Sequence, residues 1–250
     1  MRNLLILILI TTFMSCGKHV EKKQSTAPTS IVSKSICSDS DTRRLSYDPR
    51  VARALGGGGV CTVTMISRNC GISAGHCVNA LDLLEFNTGP SQNGRIVNVD
   101  VEDTFRVDKG TIVSRNNGIG DDWAVFKVNP SSFDYRPAGD VQGYYGINSP
   151  LVRSTFLRIV GYGVDTEPTH HLAQQRGYGY LVKTDGSQLF HNVDTMGGNS
   201  GSAIVDNITG RVIGIHSHGG CGSTGTNGGT LIAMNIGLQR AISACVKGDL

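Results

Sequence analysis

The sequence predicts an all-β fold closed by a single helix. From Val60 to Met234 the chain runs as short apolar or alternating segments, interrupted by Gly, Asn, Asp and Pro. Many short strands with frequent turn signals make a barrel or a sandwich. Only Asn235 to Val246 has helical spacing, with Ile236, Leu238, Ala241, Ile242 and Cys245 available for one face. Charged residues make up 17% of the chain, below the usual quarter, which excludes a disordered or highly solvated chain.

At 250 residues, core size is no obstacle to one large domain or two small ones. The net charge of +3 is small and no Lys/Arg block occurs, so a nucleic-acid partner is not expected.

In chain order, Leu4 to Phe13 is almost wholly apolar, follows Arg2 and ends at Met14-Ser15-Cys16. It is too short to span a membrane and reads as the h-region of a secretory signal peptide, residues 1–16. Cys16 before Gly17 resembles a bacterial lipoprotein acylation site, although Phe13-Met14 stands where a Leu-Ala-like pair is usual. Two readings follow: a lipid anchor on Cys16 at the membrane, or export with Cys16 discarded alongside the signal. Residues 17–38 are rich in Lys, Ser, Thr and Gln and read as a disordered tether or pro-segment. Asp39 to Leu55, the start of the folded domain 39–250, reads as an extended arm lying over it. Gly56 to Gly59 reads as a flexible joint or a tight turn and not as a phosphate-binding loop, because no clear strand precedes it and no helix follows.

Candidate strands in the first half are Val60–Ser67, Gly71–Ser73, Leu83–Phe86, Ile96–Val101, Thr111–Ser114 and Trp123–Val128. Those in the second half are Thr155–Gly161, Gly179–Thr184, Leu189–Val193, Ser202–Asp206, Arg211–Ser217 and Thr230–Met234. The stretch Pro130–Pro150 is the natural boundary between the halves. Beyond Cys16 there are six cysteines, Cys37, Cys61, Cys70, Cys77, Cys221 and Cys245. An even count in an exported chain without Cys-x-x-Cys spacing indicates disulfides rather than a metal site.

Three short motifs carry chemistry. Gly197-Gly198-Asn199-Ser200-Gly201-Ser202 places a serine hydroxyl on a backbone with little steric cover. Such N–H groups can also face a developing oxyanion. Ala74-Gly75-His76-Cys77 places a histidine among small neighbours after a short strand. Asp121-Asp122-Trp123-Ala124-Val125 places a carboxylate at the start of an apolar strand, a position suited to a buried acceptor for an imidazole N–H. Each has a plain reading as turn or surface chemistry.

Together, in the order His, Asp, Ser, these motifs resemble those of the chymotrypsin-like serine proteases. Chain order separates them from subtilisin-like and α/β-hydrolase enzymes. Gly198-Asn199-Ser200-Gly201-Ser202, followed by Gly214-Ile215-His216, is similar to the bacterial glutamyl-endopeptidase branch. The resemblance runs from about Arg53 to Met234. It implies two antiparallel six-stranded β-barrels, about 56–130 and 150–234, with the active site between them and a C-terminal helix at 235–246. It further implies an acyl-enzyme mechanism in which Ser200 attacks, His76 takes the proton and Asp122 orients the imidazole. Gly198 and Ser200 would supply the oxyanion N–H donors. Asp121 competes for the carboxylate role, and the family's pattern favours Asp122. Protein or peptide substrates, a monomer, and the absence of any cofactor or metal follow from the same resemblance.

The family also implies a Cys61–Cys77 disulfide closing the histidine loop. The other four cysteines allow three pairings. The family's packing of the C-terminal helix favours Cys70–Cys245, which leaves Cys37–Cys221. For substrate binding, Thr195 and His216 match the glutamyl-endopeptidase pocket and favour acidic cleavage sites. Asp194 stands where a trypsin-like enzyme attracts Lys or Arg, so basic or small apolar preference remains open. Ser217, with Gly219 beyond it, would line the substrate backbone. His218 stands where mammalian relatives have tryptophan. Asn199, in place of an aspartate, and the lack of an Ile-Val-Gly-Gly terminus argue against a trypsin-type activation switch. A catalytically silent protease-like binding module is the alternative class.

Overall fold

In the computed structural model, residues 35–147 and 154–250 are described; the signal peptide at 1–16, Cys16 and most of the tether at 17–38 lie outside them. Six strands close the first barrel: β2 (Val51–Gly56), β3 (Gly59–Met65), β4 (Cys70–Ser73), β5 (Leu83–Glu85), β6 (Thr104–Asn116) and β7 (Asp122–Val128). Their order around the barrel is β2-β3-β4-β7-β6-β5, and the pairs β2–β3 and β2–β5 are antiparallel. A two-residue strand, β1 (Arg44–Leu45), belongs to the other sheet.

The second barrel is built from β8 (Phe156–Gly161), β9 (Gln175–Asp185), β10 (Gln188–His191), β11 (Ala203–Asp206), β12 (Arg211–His218) and β13 (Asn227–Leu231). The run β9-β10-β13-β12-β11-β8 closes through the β8–β9 pairing. A short helix, α1 (Ala138–Gln142), lies in the connection between the barrels. The C-terminal helix, α2 (Ile236–Lys247), starts where Asn235 caps the Leu238 N–H and ends at Gly248 in the left-handed region. Its buried face is Leu238, Ala241, Ile242 and Cys245, the face given by its spacing.

Each barrel encloses its own apolar centre: Val63, Met65, Leu84, Phe105 and Phe126 in the first, Leu157, Leu189, Val193, Ile204 and Ile213 in the second. A third cluster fills the seam. Ile72, Trp123 and Val125 of the first barrel meet Val160, Val205 and Ile215 of the second, with Leu238 and Ile242 of α2. Burying each such side chain stabilises by about 1.5–3 kcal/mol, so the seam fixes how the two barrels face each other.

The structure departs from the sequence expectations in three places. Arm residues Val51–Gly56 form the first barrel strand, and Val51 to Ala54 are buried. Arg53 hides that strand in the sequence, but its guanidinium is 1% exposed and binds Glu85 through Nε and Nη2 at 2.9 and 2.6 Å. Gly56–Gly59 follows the tight-turn reading: it is the β2–β3 hairpin turn, with Gly57 and Gly58 at positive φ. Ile96–Val101 is not a strand; the thirteen-residue β6 runs from Thr104, takes in Thr111–Ser114 and bends at a register shift between Asp108 and Val113. The run Thr230–Met234 splits between β13 and a 3-10 turn at Ile232–Met234.

Three disulfides join Cys61 to Cys77, Cys70 to Cys245, and Cys37 to Cys221. The first closes the 16-residue loop that carries His76, worth about 3 kcal/mol by chain entropy. The second ties β4 to α2, and the third ties the N-terminal arm to the loop after β12.

Candidate active site

β4 ends at Ser73, and the chain turns at once into a 3-10 segment, Gly75–Ala80, that carries His76. Gly75 makes this turn possible, since a Cβ there would lie 1.8 Å from the Arg115 carbonyl oxygen. The His76 ring is about one-third exposed and faces Asp122, the first residue of β7, which is fully buried. Two hydrogen bonds join them. The His76 backbone N–H donates to Asp122 Oδ1 at 3.0 Å, and Nδ1 lies 2.7 Å from Oδ2.

Burial opposes charge on Asp122, but the hydrogen bonds and charge of His76 outweigh it, and the carboxyl is held below the usual range. An ionised carboxylate can only accept, so Nδ1 carries the proton and Nε2 is left as a base. Asp121 is occupied elsewhere: its oxygens take hydrogen bonds from Trp123 Nε1 at 2.9 Å, Asn117 Nδ2 at 2.8 Å and Asn235 Nδ2 at 3.1 Å.

Ser200 is half-buried on the loop before β11. Its carbonyl accepts the Thr62 N–H of β3 at 2.8 Å and lies 3.7 Å from the Cys77 sulfur, which places it beside the histidine loop. The N–H groups of Asn199, Gly201 and Ser202 are engaged by Met196, His216 and Asn199 carbonyls. Among the described residues, no such acceptor serves the N–H groups of Gly198 and Ser200. Gly198 has φ +99°, and a Cβ on it would strike the Tyr162 carbonyl, so the loop needs glycine there.

The residues expected to bind substrate separate in space. Asp194 is 2% exposed. Its Oδ1 accepts the N–H groups of Cys37 and Ser38, and its Oδ2 accepts the N–H and hydroxyl of Thr42. Four donors from the arm saturate the carboxylate. Thr195 is buried, with its Oγ1 accepting from Asn227 Nδ2 at 3.0 Å and its N–H donating to the Ser35 carbonyl. Ser217 Oγ lies 2.7 Å from His218 Nδ1, and that nitrogen is 3.8 Å from Asp122 Oδ2. A groove lined by Ile119, Lys183, Phe190, His218, Gly219 and Gly228 runs beside them.

His216 is buried on β12, and its Nδ1 is 3.2 Å from Nε2 of His191 on β10. The Val193 N–H donates to His191 Nδ1, so neutral His191 must carry its proton on Nε2 and give it to His216 Nδ1. Neutral His216 then keeps its own proton on Nε2. Burial pushes both down, His191 to about 3 and His216 well below its usual value, the latter also through nearby His191, His218 and His76. His191 and Asn227 were not among the sequence candidates. The alternation Leu189, His191, Val193 places His191 on the inward face of its strand, and that was the available signal.

Asn199 is buried and its Oδ1 accepts the Met196 N–H at 2.9 Å. The same oxygen lies 3.5 Å from Nη1 of Arg43, a 5%-exposed cation that also binds Asp41, Gln175 and the Val164 carbonyl. Cys61 and Cys77 lie beside His76, but as a disulfide they offer no thiolate to a metal.

A family model described as a trypsin-like peptidase domain matches residues 25–215. A comparison with curated proteins finds no match. Among solved structures, a Glu endopeptidase in complex with MPD is similar at 23% identity and TM-score 0.68, over 84% of this chain and 98% of that one. The protease Anisep from Arthrobacter nicotinovorans is 15% identical with TM-score 0.63, over 82% and 99% of the two chains. A thermostable serine protease, AL20, from an extremophilic microorganism is 13% identical with TM-score 0.59, over 80% and 98%.

Proposed function

The chain belongs to the trypsin-like peptidase family, and we propose that it hydrolyses peptide bonds through Ser200, His76 and Asp122, with preference for acidic residues before the cut. It is a serine endopeptidase by that membership. The observation that carries the assignment of residues is the doubly hydrogen-bonded His76–Asp122 pair beside the Ser200 loop. With Nδ1–H held by Asp122, Nε2 takes the Ser200 proton as Oγ attacks the carbonyl, and later returns it to the leaving amine. The Gly198 and Ser200 N–H groups receive the oxyanion, where one donor is worth about 3 kcal/mol.

The acidic preference rests on two contacts. Asp194 is consumed by the arm and offers no charge to a Lys or Arg side chain. His216, with its tautomer set by His191, offers a neutral Nε2–H donor. A chromogenic peptide panel tests this: Glu substrates should be cut faster than Lys, Arg or Ala ones. Faster cleavage after Lys or Arg refutes the preference, and failure of Ser200 to react with a fluorophosphonate refutes the catalytic assignment.

Three disulfides suit an oxidising compartment, and no described helix is long and apolar enough to cross a membrane. We further propose that residues 1–16 direct export and that Cys16 is the acylation point. Mass spectrometry of the native N-terminus decides this, since a mature chain starting beyond Cys16 is incompatible with the anchor.

A further inference from the structure

On the outer face of the second barrel, a cavity is lined by Ser46, Asp48 and Arg50 from the segment before β2, by Arg158 and Val160 of β8, and by Arg176 of β9. None of these belongs to the triad or to the candidate substrate contacts. Three guanidinium groups face one carboxylate. Arg50 binds Asp48 in a fork, Nε to Oδ1 at 2.7 Å and Nη2 to Oδ2 at 2.9 Å. Tyr145 also donates its hydroxyl to Asp48 Oδ2. That carboxylate is therefore fully engaged and neutralised, and Arg158 and Arg176 are left over.

Among the described residues, neither Arg158 nor Arg176 forms an ion pair with a carboxylate. Arg158 donates from Nη2 to the Tyr145 hydroxyl at 3.1 Å, and Arg176 makes no hydrogen bond through its side chain. The Nε–H of each is buried with no acceptor. An unmet buried N–H on a cation is costly in a folded protein and points to a missing acceptor. The cations are nonetheless held in place. Tyr145 has the Arg50 guanidinium carbon 3.8 Å and that of Arg158 5.9 Å from its ring centroid, and Arg176 lies 5.2 Å from that of Tyr178. Aromatic support of this kind fixes the planar forks at low cost in side-chain entropy. Ser46 and Tyr47 also line the cavity.

We propose that this cavity binds a phosphate-class oxyanion, with Arg158 and Arg176 as its two cationic contacts. Two uncompensated guanidinium charges match a phosphate dianion, and the donor forks match its oxygens. The lining draws on both barrels, because Asp48 and Arg50 lead into β2 while Arg158 and Arg176 stand on β8 and β9. A bound oxyanion would therefore brace the barrels against each other. The group could arrive as free phosphate or on a lipid headgroup.

The experiment uses the full chain, with inorganic phosphate as probe in calorimetry and thermal unfolding, chloride at equal ionic strength as control. Saturable binding should raise Tm by about 5 °C at roughly a hundredfold excess over Kd. Arg176→Gln, which breaks no hydrogen bond among the described residues, should weaken binding about tenfold or more while leaving chromogenic peptide hydrolysis unchanged. Ser200→Ala should bind as the parent does, which separates this cavity from the catalytic cleft. Arg44→Gln, on the strand paired with β9 and exposed, should have little effect. Co-sedimentation with phosphatidylcholine vesicles, with and without phosphatidic acid, then distinguishes the sources: capture only by phosphatidic acid, competed by phosphate, assigns the headgroup. The proposal is overturned if phosphate and phosphatidic acid both fail to bind. It also falls if Arg176→Gln binds as the parent does, or if Arg44→Gln costs as much as Arg176→Gln.

Discussion

Asp194 and Thr42, 152 residues apart, are joined by two hydrogen bonds to one oxygen, from the Thr42 N–H at 3.0 Å and its hydroxyl at 2.5 Å. With Cys37 and Ser38 on the other oxygen, the carboxylate becomes the latch that seats the N-terminal arm on the second barrel.

Asp194→Ala should therefore act on stability and not on charge preference. Several partly buried N–H groups would lose their acceptor, each at about 1–3 kcal/mol. A lower thermal midpoint with an unchanged ratio of Glu to Lys cleavage is expected. A large gain or loss confined to Lys substrates would place the carboxylate back in the pocket.

The two neighbouring aspartates should separate cleanly. Asp122→Asn leaves His76 without its ionised partner and should lower kcat by about four orders of magnitude. Asp121→Asn perturbs the Trp123, Asn117 and Asn235 contacts and the exposed Arg115 ion pair at 3.6 Å, and should cost about tenfold at most. Steady-state kinetics on one peptide substrate suffice, and equal losses would contradict the geometry.

Arg43 links the arm to Asn199, the residue between the proposed oxyanion donors Gly198 and Ser200. Arg43→Met would remove the ion pairs to Asp41, which is one-third exposed, and to Asp165, which keeps its Gln175 and Glu167 donors, at about 1–3 kcal/mol. At a temperature where circular dichroism shows the variant folded, kcat/KM should still fall about tenfold or more. Unchanged turnover per folded molecule would show that Arg43 serves the arm alone.

Acid should weaken the fold through His191 and His216. Their folded values lie below the ordinary 6.5, so the unfolded chain binds more protons once pH drops through 6.5. Their contribution is full above that point and is lost as pH falls toward about 3, at about 1.4 kcal/mol per pH unit for each ring. The lowered carboxylates, such as Asp48 and Asp122, respond only below the usual 3.8. Urea unfolding between pH 6.5 and 4.5 therefore isolates the histidines, and His191→Gln should flatten the slope there. An unaltered slope would mean that these rings do not set it.

The catalytic motifs were legible because each is local: a few small residues around a histidine, an aspartate opening an apolar strand, and a glycine-rich loop around a serine. Strand β2 was not, because Arg53 breaks the alternation and only Glu85, 32 residues on, supplies the charge that lets it be buried. Likewise only Thr111–Ser114 of β6 was legible, since the bend between Asp108 and Val113 interrupts its periodicity.

By itself the sequence determined the all-β class, the C-terminal helix, the order of the three motifs and the even set of cysteines. Period, turn chemistry and composition are properties of neighbouring residues. Only the tertiary structure decided which aspartate meets His76, that the Asp194 carboxylate binds the arm, and that His191 sets the tautomer of His216. Those assignments depend on which donors lie within about 3 Å of each acceptor. Packing of the two barrels brings such donors together from residues far apart in the chain.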